Sequence, residues 1–190
     1  MFSLLCGLWA TAFTTPEYVV VLAGLDGAGK TSFLQATKPI YCGIPALPPD
    51  HIAPTIGLNV SKIDAKGIRL LLQDLGGQVS LRALWDRYLP DADAVIFVID
   101  STCDEFRLEE SKKALSHILE IIKPSIPLIL IANKQDLPHP RPLTEFQLML
   151  KSFNLKDRAF ITLGVNSLLG LGVREAMDWL IETIFERKVA

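Results

Sequence analysis

The first sixteen residues of the chain carry no charge: the first acidic residue is Glu17 and the first basic residue is Lys30. This stretch lacks the basic beginning of a secretory signal, and a strand of the buried type starts almost at once at Tyr18. No apolar run reaches the roughly 18–20 residues that a transmembrane helix requires. The charge-free segment is therefore expected neither to span a bilayer nor to direct secretion.

Cysteine and basic charge are also scarce. The three cysteines, Cys6, Cys42 and Cys103, form no C-x-x-C pair, which excludes a disulfide framework or a zinc site and favours a reducing, cytoplasmic compartment. Lys and Arg total 19 against 21 Asp and Glu, a formal net charge of −2, so we expect no nucleic-acid partner. With 190 residues, 49% of them hydrophobic, the chain is long enough for one domain with a sizeable core.

Continuous apolar runs alternate with amphipathic segments, and this pattern predicts an α/β fold: a six-stranded, mostly parallel sheet with helices on both faces. We expect strands at 18–23, 58–65, 68–73, 94–99, 127–132 and 159–163, the second and third forming an antiparallel hairpin. We expect helices at 29–37, 81–89, 105–122, 144–153 and 172–187. The proline-rich segment 38–54 is expected to be an irregular surface loop. In such a sheet, ligands bind beyond the carboxyl ends of the strands.

Polar clusters follow three of the apolar runs. The first, Gly24-Leu25-Asp26-Gly27-Ala28-Gly29-Lys30-Thr31, is a full match to G-x-x-x-x-G-K-[ST]. Its glycines let backbone N–H groups converge on phosphate oxygens, Lys30 is expected to reach the β- and γ-phosphates, and the Thr31 hydroxyl is expected to ligate Mg²⁺. A bound nucleoside triphosphate is therefore predicted, with contacts from Asp26, Gly27, Ala28, Gly29, Lys30, Thr31 and Ser32.

The second cluster is Asp74-Leu75-Gly76-Gly77-Gln78, directly after the third predicted strand. Asp74 is placed to hold the Mg²⁺, usually through a water, and the N–H of Gly77 is placed to meet the γ-phosphate. Gln78 then lies where it can orient a water for in-line attack on the γ-phosphorus, which makes it the candidate catalytic residue.

The third cluster, Asn133-Lys134-Gln135-Asp136, follows the fifth predicted strand. The Asp136 carboxylate can accept hydrogen bonds from guanine N1–H and the 2-amino group, donors that adenine lacks, so the site is expected to select guanine. The stem of Lys134 can cover the base, and Asn133 can tie this loop to the phosphate loop. GTP and GDP are thus the expected nucleotides. A phosphate-loop kinase or ATPase is the alternative that this cluster argues against.

Four motifs resemble, in order and approximate spacing, those of the Arf/Arl family of small GTPases across essentially the whole chain. They are the phosphate loop, Pro54-Thr55-Ile56-Gly57-Leu58-Asn59, Asp74-Leu75-Gly76-Gly77-Gln78 and Ala132-Asn133-Lys134-Gln135-Asp136. The resemblance implies that Thr55 completes the Mg²⁺ coordination and senses the γ-phosphate. It also implies an exchange factor, a GTPase-activating protein and effectors as partners. The family's backbone contact to the guanine oxygen falls at Asn166-Ser167-Leu168, where the family usually has alanine in the middle, so Ser167 and Leu168 join the predicted nucleotide-binding residues.

Asp26 is found in the Arf branch, whereas most small GTPases have a small residue there. A carboxylate so near the γ-phosphate is expected to repel the hydrolytic transition state and to keep intrinsic turnover below the roughly 10⁻⁴ s⁻¹ of an unassisted GTPase. A GTPase-activating protein would then supply an arginine in trans. Arg82 and Arg87, the nearest arginines in this chain, are interpreted as solvated or partner-facing. The alternative is a GTP-bound scaffold with negligible turnover.

The charge-free residues 1–16 place Phe2, Leu5, Trp9 and Phe13 at helical spacing on one face, ahead of the GTP-binding domain at 17–190. Such an amphipathic helix can pack on the core, and in Arf-type proteins it moves to the membrane with GTP. Phe2 replaces the glycine that myristoylation requires. With Leu84-Trp85-Asp86-x-Tyr88 and Gly172-Val173-Arg174-Glu175, this resembles the non-myristoylated, Arf-related branch of the trans-Golgi, and the lysosomal Arf-like branch is the alternative. The expected location is the cytosolic face of Golgi-type membranes, with effectors recruited there for vesicle trafficking.

Overall fold

The computed structural model describes residues 15–155 and 158–189, and these contain a six-stranded sheet with the spatial order β2-β3-β1-β4-β5-β6. Only β2 and β3 pair antiparallel; the other neighbours are parallel. The strand bounds are β1 Glu17–Ala23, β2 Leu58–Ala65, β3 Ile68–Leu75, β4 Ala94–Asp100, β5 Leu128–Asn133 and β6 Phe160–Gly164. The predicted α/β fold with a mostly parallel sheet is therefore confirmed.

Helices cover both faces of the sheet, as predicted. The α-helices are α1 Lys30–Tyr41, α2 Trp85–Tyr88, α3 Glu105–Ile121, α4 Leu143–Lys151 and α5 Val173–Val189. Helices α1 and α5 pack on one face, where they share a core with alternate residues of β1, β3 and β4. Helices α3 and α4 and the aromatic ring of Trp85 pack on the other face. Strands β4 and β5 are buried along nearly their whole length, which explains why their sequences are continuously apolar rather than alternating.

Two predicted helices differ from the structure. Helix α1 continues past the expected end at residue 37 to Tyr41, because Pro39 lies in its last turn, where the missing proline N–H costs a single hydrogen bond. The expected helix at 81–89 is instead a 3₁₀ helix at Val79–Leu84, the short α2 and a second 3₁₀ turn at Leu89–Asp91. Here Pro90 and hydrogen bonds to the preceding glycines interrupt a regular α-helix.

The predicted amphipathic helix at 1–16 lies almost wholly outside the described residues, so it stays a prediction. The described chain joins the sheet at Pro16, whose carbonyl accepts a 2.9 Å hydrogen bond from the N–H of Arg69 on β3. Among the helices in the described ranges, none has the length and apolar character needed to cross a bilayer.

Trp85 fixes the segment after the Gly76-Gly77 pair, and its loss should be measurable. The ring is fully buried and its Nε1–H donates to the Gly76 carbonyl at 3.1 Å. We expect Trp85→Phe to lower the free energy of unfolding by about 2–3 kcal/mol in urea denaturation of the GDP-bound protein, because a buried acceptor loses its donor and a cavity remains. Phe106→Leu is the control, since Phe106 is 78% exposed. Equal losses in the two variants would contradict this role of Trp85.

Candidate nucleotide-binding and hydrolysis site

The site lies at the carboxyl end of β1, the strand where the order of the sheet reverses direction. Strand β1 pairs in parallel with β3 on one side and with β4 on the other, so the loops that follow these strands diverge and leave a crevice. The loop after β1 fills the bottom of this crevice and leads directly into α1. The N-terminus of α1 therefore points its free N–H groups toward whatever binds there.

Glycine is required at the end of the phosphate loop for space and for backbone conformation. Gly29 has φ of +94°, in the left-handed region, and a Cβ there would lie 2.1 Å from Nδ2 of Asn133. That close approach lets Asn133 donate from Nδ2 to the Ala28 carbonyl at 2.8 Å. The phosphate loop is thus tied to the loop after β5, as the sequence predicted for Asn133.

Lys30 lies at the base of a cavity of about 190 Å³ between the phosphate loop and the segment before β2. Its ammonium donates to the Leu25 carbonyl at 2.8 Å. Burial lowers the pKa of Lys30 to about 8, against the opposing attraction of the Asp74 and Asp26 carboxylates. A polyphosphate in this cavity would add negative charge beside the ammonium and restore its proton, which suits Lys30 to phosphate binding.

Three oxygens from separate segments meet at one point beside this cavity. The Thr31 and Thr55 hydroxyls lie 2.8 Å apart, and each lies within hydrogen-bonding distance of Asp74 Oδ2, at 2.7 Å and 2.9 Å. Two hydroxyl hydrogens can satisfy only two of these three contacts. The structure therefore brings Thr55 to Thr31 and Asp74, as the resemblance implied.

Asp74 is the most constrained member of this group. Its side chain is buried, and Oδ1 has no hydrogen-bond partner within the described part of the chain. Burial raises the pKa of Asp74, although the two threonine hydroxyls and Lys30 act in the opposite direction. A buried carboxylate with an unused oxygen, next to two hydroxyls, is a donor set that fits a hard divalent cation such as Mg²⁺.

Gly77 and Gln78 are neighbours in the sequence, but Gly77 is buried and Gln78 is exposed. Gly77 is buried against the phosphate loop, and a Cβ there would lie 2.4 Å from the backbone nitrogen of Asp26. Gln78 is exposed and lines the cavity that holds Lys30. The Gly77 N–H and the Gln78 side chain therefore lie at the cavity where a γ-phosphate would sit.

An ion-pair network that the sequence did not reveal connects the phosphate loop to the segment after Gln78. Arg107 on α3 donates to the Asp26 carbonyl at 2.8 Å and to Oδ1 at 3.0 Å. Glu110 accepts from Arg107 at 3.0 Å and from Arg82 at 2.6 Å. Arg82 in turn donates to the Gly77 carbonyl at 3.0 Å.

This network corrects the interpretation of Arg82 as a solvated or partner-facing residue. Its side chain is only 21% exposed and its guanidinium lies 5.9 Å from the centre of the Trp85 ring. Arg87 is exposed, over the ring of Tyr88. The sequence signal for the network was limited to the Arg107–Glu110 spacing of three on one helix. The partners Asp26 and Arg82 are far away in the sequence.

The network also sets the charge state of Asp26. Burial alone would raise the pKa of Asp26, but the hydrogen bond and the charge of Arg107 outweigh it, and the pKa lies below its usual value. The carboxylate is therefore ionised at neutral pH and shares its charge with Arg107.

The residues predicted to recognise a base surround a second cavity, of about 130 Å³. It is lined by Gly29, Ser32, Asn133, Lys134, Asp136 and Leu168, among others. The Lys134 ammonium pairs with Asp100 Oδ2 at the end of β4, which holds the lysine stem along the cavity. Burial would raise the pKa of Asp100, but Lys134 and the Thr102 hydroxyl lower it by more, so the pKa lies below its usual value. The carboxylate that pairs with Lys134 is therefore ionised. The Asp136 side chain is exposed at the cavity mouth.

Ser167 and Leu168 line the same cavity, and their backbone N–H groups have acceptors within the protein. Ser167 N–H donates to Asn133 Oδ1 at 3.1 Å, and Leu168 N–H donates to Asn166 Oδ1 at 3.1 Å. Apart from Ala28 and Asp74, every predicted site residue lines one of two cavities that share Gly27, Gly29 and Ser32.

Comparison with known proteins agrees with this geometry. The pattern of the ADP-ribosylation factor (Arf) family matches residues 7–184. ADP-ribosylation factor-related protein 1 of Rattus norvegicus is 36% identical over 97% of this chain and 93% of its own length, and that of Bos taurus is 38% identical over the same shares.

A solved structure shows the same fold. The Arl6 BBS3 small GTPase from Trypanosoma brucei, with the bound nucleotide analogue GppNp, superposes with a TM-score of 0.75 and 32% identity. The match covers 90% of this chain and 98% of that one. With the phosphate loop, the strand-end Asp74 and the base cavity in their expected places, this chain belongs to the Arf family of small GTPases.

Proposed function

We propose that the chain is a switch of the Arf-related branch that alternates between GTP and GDP, hydrolyses GTP slowly, and recruits effectors to Golgi-type membranes in vesicle trafficking. The observation that carries the proposal is the contact of Thr55 with Thr31 and Asp74, at 2.8 Å and 2.9 Å. This contact joins the segment before β2 to the phosphate loop at the cavity that would hold the γ-phosphate. Loss of that phosphate can therefore change the position of Thr55 and of the surface around it.

The nucleotide is held by groups that this chain already orients. Backbone N–H groups of the phosphate loop and the Lys30 ammonium bind the phosphates, and Asn133, Lys134 and Asp136 bind the base. Asp136 selects guanine because an adenine in the same position offers no donor to its carboxylate.

The metal in this proposal is Mg²⁺, held by the Thr31 and Thr55 hydroxyls with Asp74 beside them. When bound, Mg²⁺ neutralises charge that develops on the phosphates. Asp74 orients the two hydroxyls, since both can donate to its Oδ2 when their lone pairs face the cation.

For hydrolysis, Gln78 orients the attacking water and the Gly77 N–H donates to the γ-phosphate. The ionised Asp26 opposes the transition state because it places a further negative charge beside the phosphate loop. Arg107 reduces this repulsion but also holds the carboxylate in place. Intrinsic turnover is therefore slow, and a GTPase-activating protein completes the site.

Reversible membrane association uses the charge-free segment at 1–16. The hairpin of β2 and β3 lies beside the point where this segment joins the sheet, at Pro16 and Arg69. A slip of two residues between strands preserves which side chains face inward, so the hairpin can move to displace the segment without disturbing the core. The Golgi-type location rests on resemblance to the Arf-related branch, and a lysosomal position of the GTP-locked Gln78→Leu protein in cells would contradict it.

Removal of Mg²⁺ should distinguish the part of Asp74 in metal binding from its effect on the stability of the metal-free protein. We expect EDTA to lower the melting temperature of the GDP-bound protein by about 5 °C, the shift expected for a ligand at roughly 100 times its dissociation constant. Asp74→Asn should abolish most of this EDTA effect. It should leave the EDTA-treated protein no less stable, because a buried carboxylate with a raised pKa lowers stability as the pH rises from its unfolded-state pKa to the raised one, and the whole loss is present at higher pH.

Asp91→Asn is the matched control for this experiment, since Asp91 is exposed and lies just before β4, at the end of the parallel strands opposite the site. It should respond to EDTA as the native protein does. An Asp74→Asn protein that also keeps the full response would contradict the proposed metal site.

Removal of the Asp26 charge should speed intrinsic hydrolysis. We expect Asp26→Asn to raise the single-turnover rate about tenfold without any partner protein, because a repulsion of about 1.4 kcal/mol in the transition state is relieved. Glu109→Gln makes the same change in net charge on the outer face of α3 and should leave the rate unchanged. A native rate comparable with that of other small GTPases, or an unchanged rate in Asp26→Asn, would overturn the role of Asp26.

Vesicle flotation tests the membrane switch itself. Native, N-terminally acetylated protein loaded with a non-hydrolysable GTP analogue should float with liposomes at least about tenfold more than the GDP-loaded protein, since its apolar face inserts only when released. Trp9→Glu should remove this difference. Leu148→Glu, at a leucine that is 69% exposed on α4, should retain it. Equal flotation of both native forms would reject the membrane switch and leave GTP binding intact.

A further inference from the structure

The buried side chain of Asn133 connects three parts of the site. The Asn133 Nδ2 donates to the Ala28 carbonyl in the phosphate loop at 2.8 Å. The backbone carbonyl of Asn133 accepts from the Ser101 N–H at 2.9 Å. Its Oδ1 faces the loop after β6. Asn133 is 2% exposed, so an unsatisfied Oδ1 would have no water to replace a lost donor.

Two donors from one residue reach this oxygen. The backbone N–H of Ser167 donates to Asn133 Oδ1 at 3.1 Å, and the Ser167 hydroxyl donates to the same atom at 2.8 Å. Alanine, which the family usually has at this position, could supply only the first. Ser167 is itself 4% exposed, so its hydroxyl is committed to this contact and not to solvent.

A guanine base in the cavity would compete with Asn133 for the Ser167 N–H but not for the Ser167 hydroxyl. Ser167 lines that cavity, and the resemblance to the Arf family makes its N–H the donor expected for the oxygen on C6 of guanine. One N–H cannot serve two acceptors at full strength, so its turn toward the base weakens the bond to Asn133 Oδ1. With alanine at this position, base binding would leave a buried amide oxygen poorly satisfied.

We infer that the Ser167 hydroxyl is a positioning group for nucleotide binding, which keeps Asn133 in place when the Ser167 N–H turns to the guanine oxygen and so slows nucleotide release. The neighbouring backbone is consistent with these separate roles of the Ser167 hydroxyl and the Ser167 N–H. Asn166 Oδ1 holds the N–H groups of Leu168 and Leu169, at 3.1 Å and 3.0 Å, so the residues after Ser167 are held by contacts that do not depend on the base, and only the Ser167 N–H has to shift toward it. This inference rests on the proposed use of GDP and GTP and specifies how the site retains them.

The test is the rate of nucleotide release from Ser167→Ala, followed by fluorescence after chase with excess GDP. Release of a fluorescent GDP from the variant should be about tenfold faster than from the native protein, which corresponds to about 1.4 kcal/mol. Ser152→Ala deletes a hydroxyl that bonds only to a nearby helix carbonyl, and it should release GDP at the native rate.

A second nucleotide distinguishes positioning from simple loosening of the loop. The diphosphate of 2-aminopurine riboside lacks the oxygen on C6, so the Ser167 N–H has no reason to leave Asn133. It also lacks the N1–H that Asp136 would accept, so both proteins should release it faster than GDP and only the comparison between them is used. Native protein and Ser167→Ala should therefore release this analogue at equal rates. Equal acceleration for both nucleotides would show a merely structural role, and no acceleration for either would also overturn the inference. Both outcomes leave GDP binding, and hence the proposed function, untouched; failure of the native protein to bind GDP would reject the function itself.

Discussion

The buried carboxylate of Asp74 is the constraint on which the arrangement of the site depends. It ends β3 inside the protein, where burial raises its pKa, and its stabilising contacts come from hydroxyls on two other segments. Thr31 belongs to the first turn of α1, whereas Thr55 belongs to the long segment before β2. That long segment contains several exposed apolar residues, so its position depends on polar contacts at its end more than on burial. A group that binds at Asp74 would therefore act directly on the position of this segment.

The network from Asp26 to Gly77 provides a second connection around the same cavity. Arg107 and Glu110 project from α3, a helix whose buried face packs in the core. They therefore form a fixed support between the phosphate loop and the segment that begins at Gly77. One end holds the phosphate-loop carboxylate, and the other reaches through Arg82 to the Gly77 carbonyl. A shift of the Gly77 carbonyl can therefore reach the Asp26 carboxylate through Arg82 and Arg107, in addition to the direct packing of Gly77 against the Asp26 backbone. Through these contacts, helix α3 connects the phosphate loop with the segment after Gly77.

The sequence predicted those parts of the fold and site that depend on contiguous residues. The runs that became β1, β4 and β5 are apolar because both faces of a parallel sheet are covered, and the polar clusters at the ends of β1, β3 and β5 could be assigned from their order. What it could not predict depends on the approach of distant segments. The segment after Gln78 has helical spacing, yet tertiary bonds from Arg82 and Trp85 to the two glycines draw it into 3₁₀ turns. Arg107 meets Asp26 across 81 positions, and no local pattern marks such a pair.

The electrostatics of the site explain why ligand and fold cannot be separated in this protein. Lys30 has a pKa lowered to about 8 by burial, and Asp74 has a pKa raised by burial, so each ionised group opposes folding near neutral pH when the cavity holds only water. Polyphosphate reverses the penalty for Lys30, and a divalent cation reverses it for Asp74. A ligand that binds only the folded chain adds stability in proportion to the logarithm of its concentration over its dissociation constant. The same buried charges that destabilise the protein without a ligand therefore favour binding of a polyphosphate and a divalent cation, and such binding stabilises the fold.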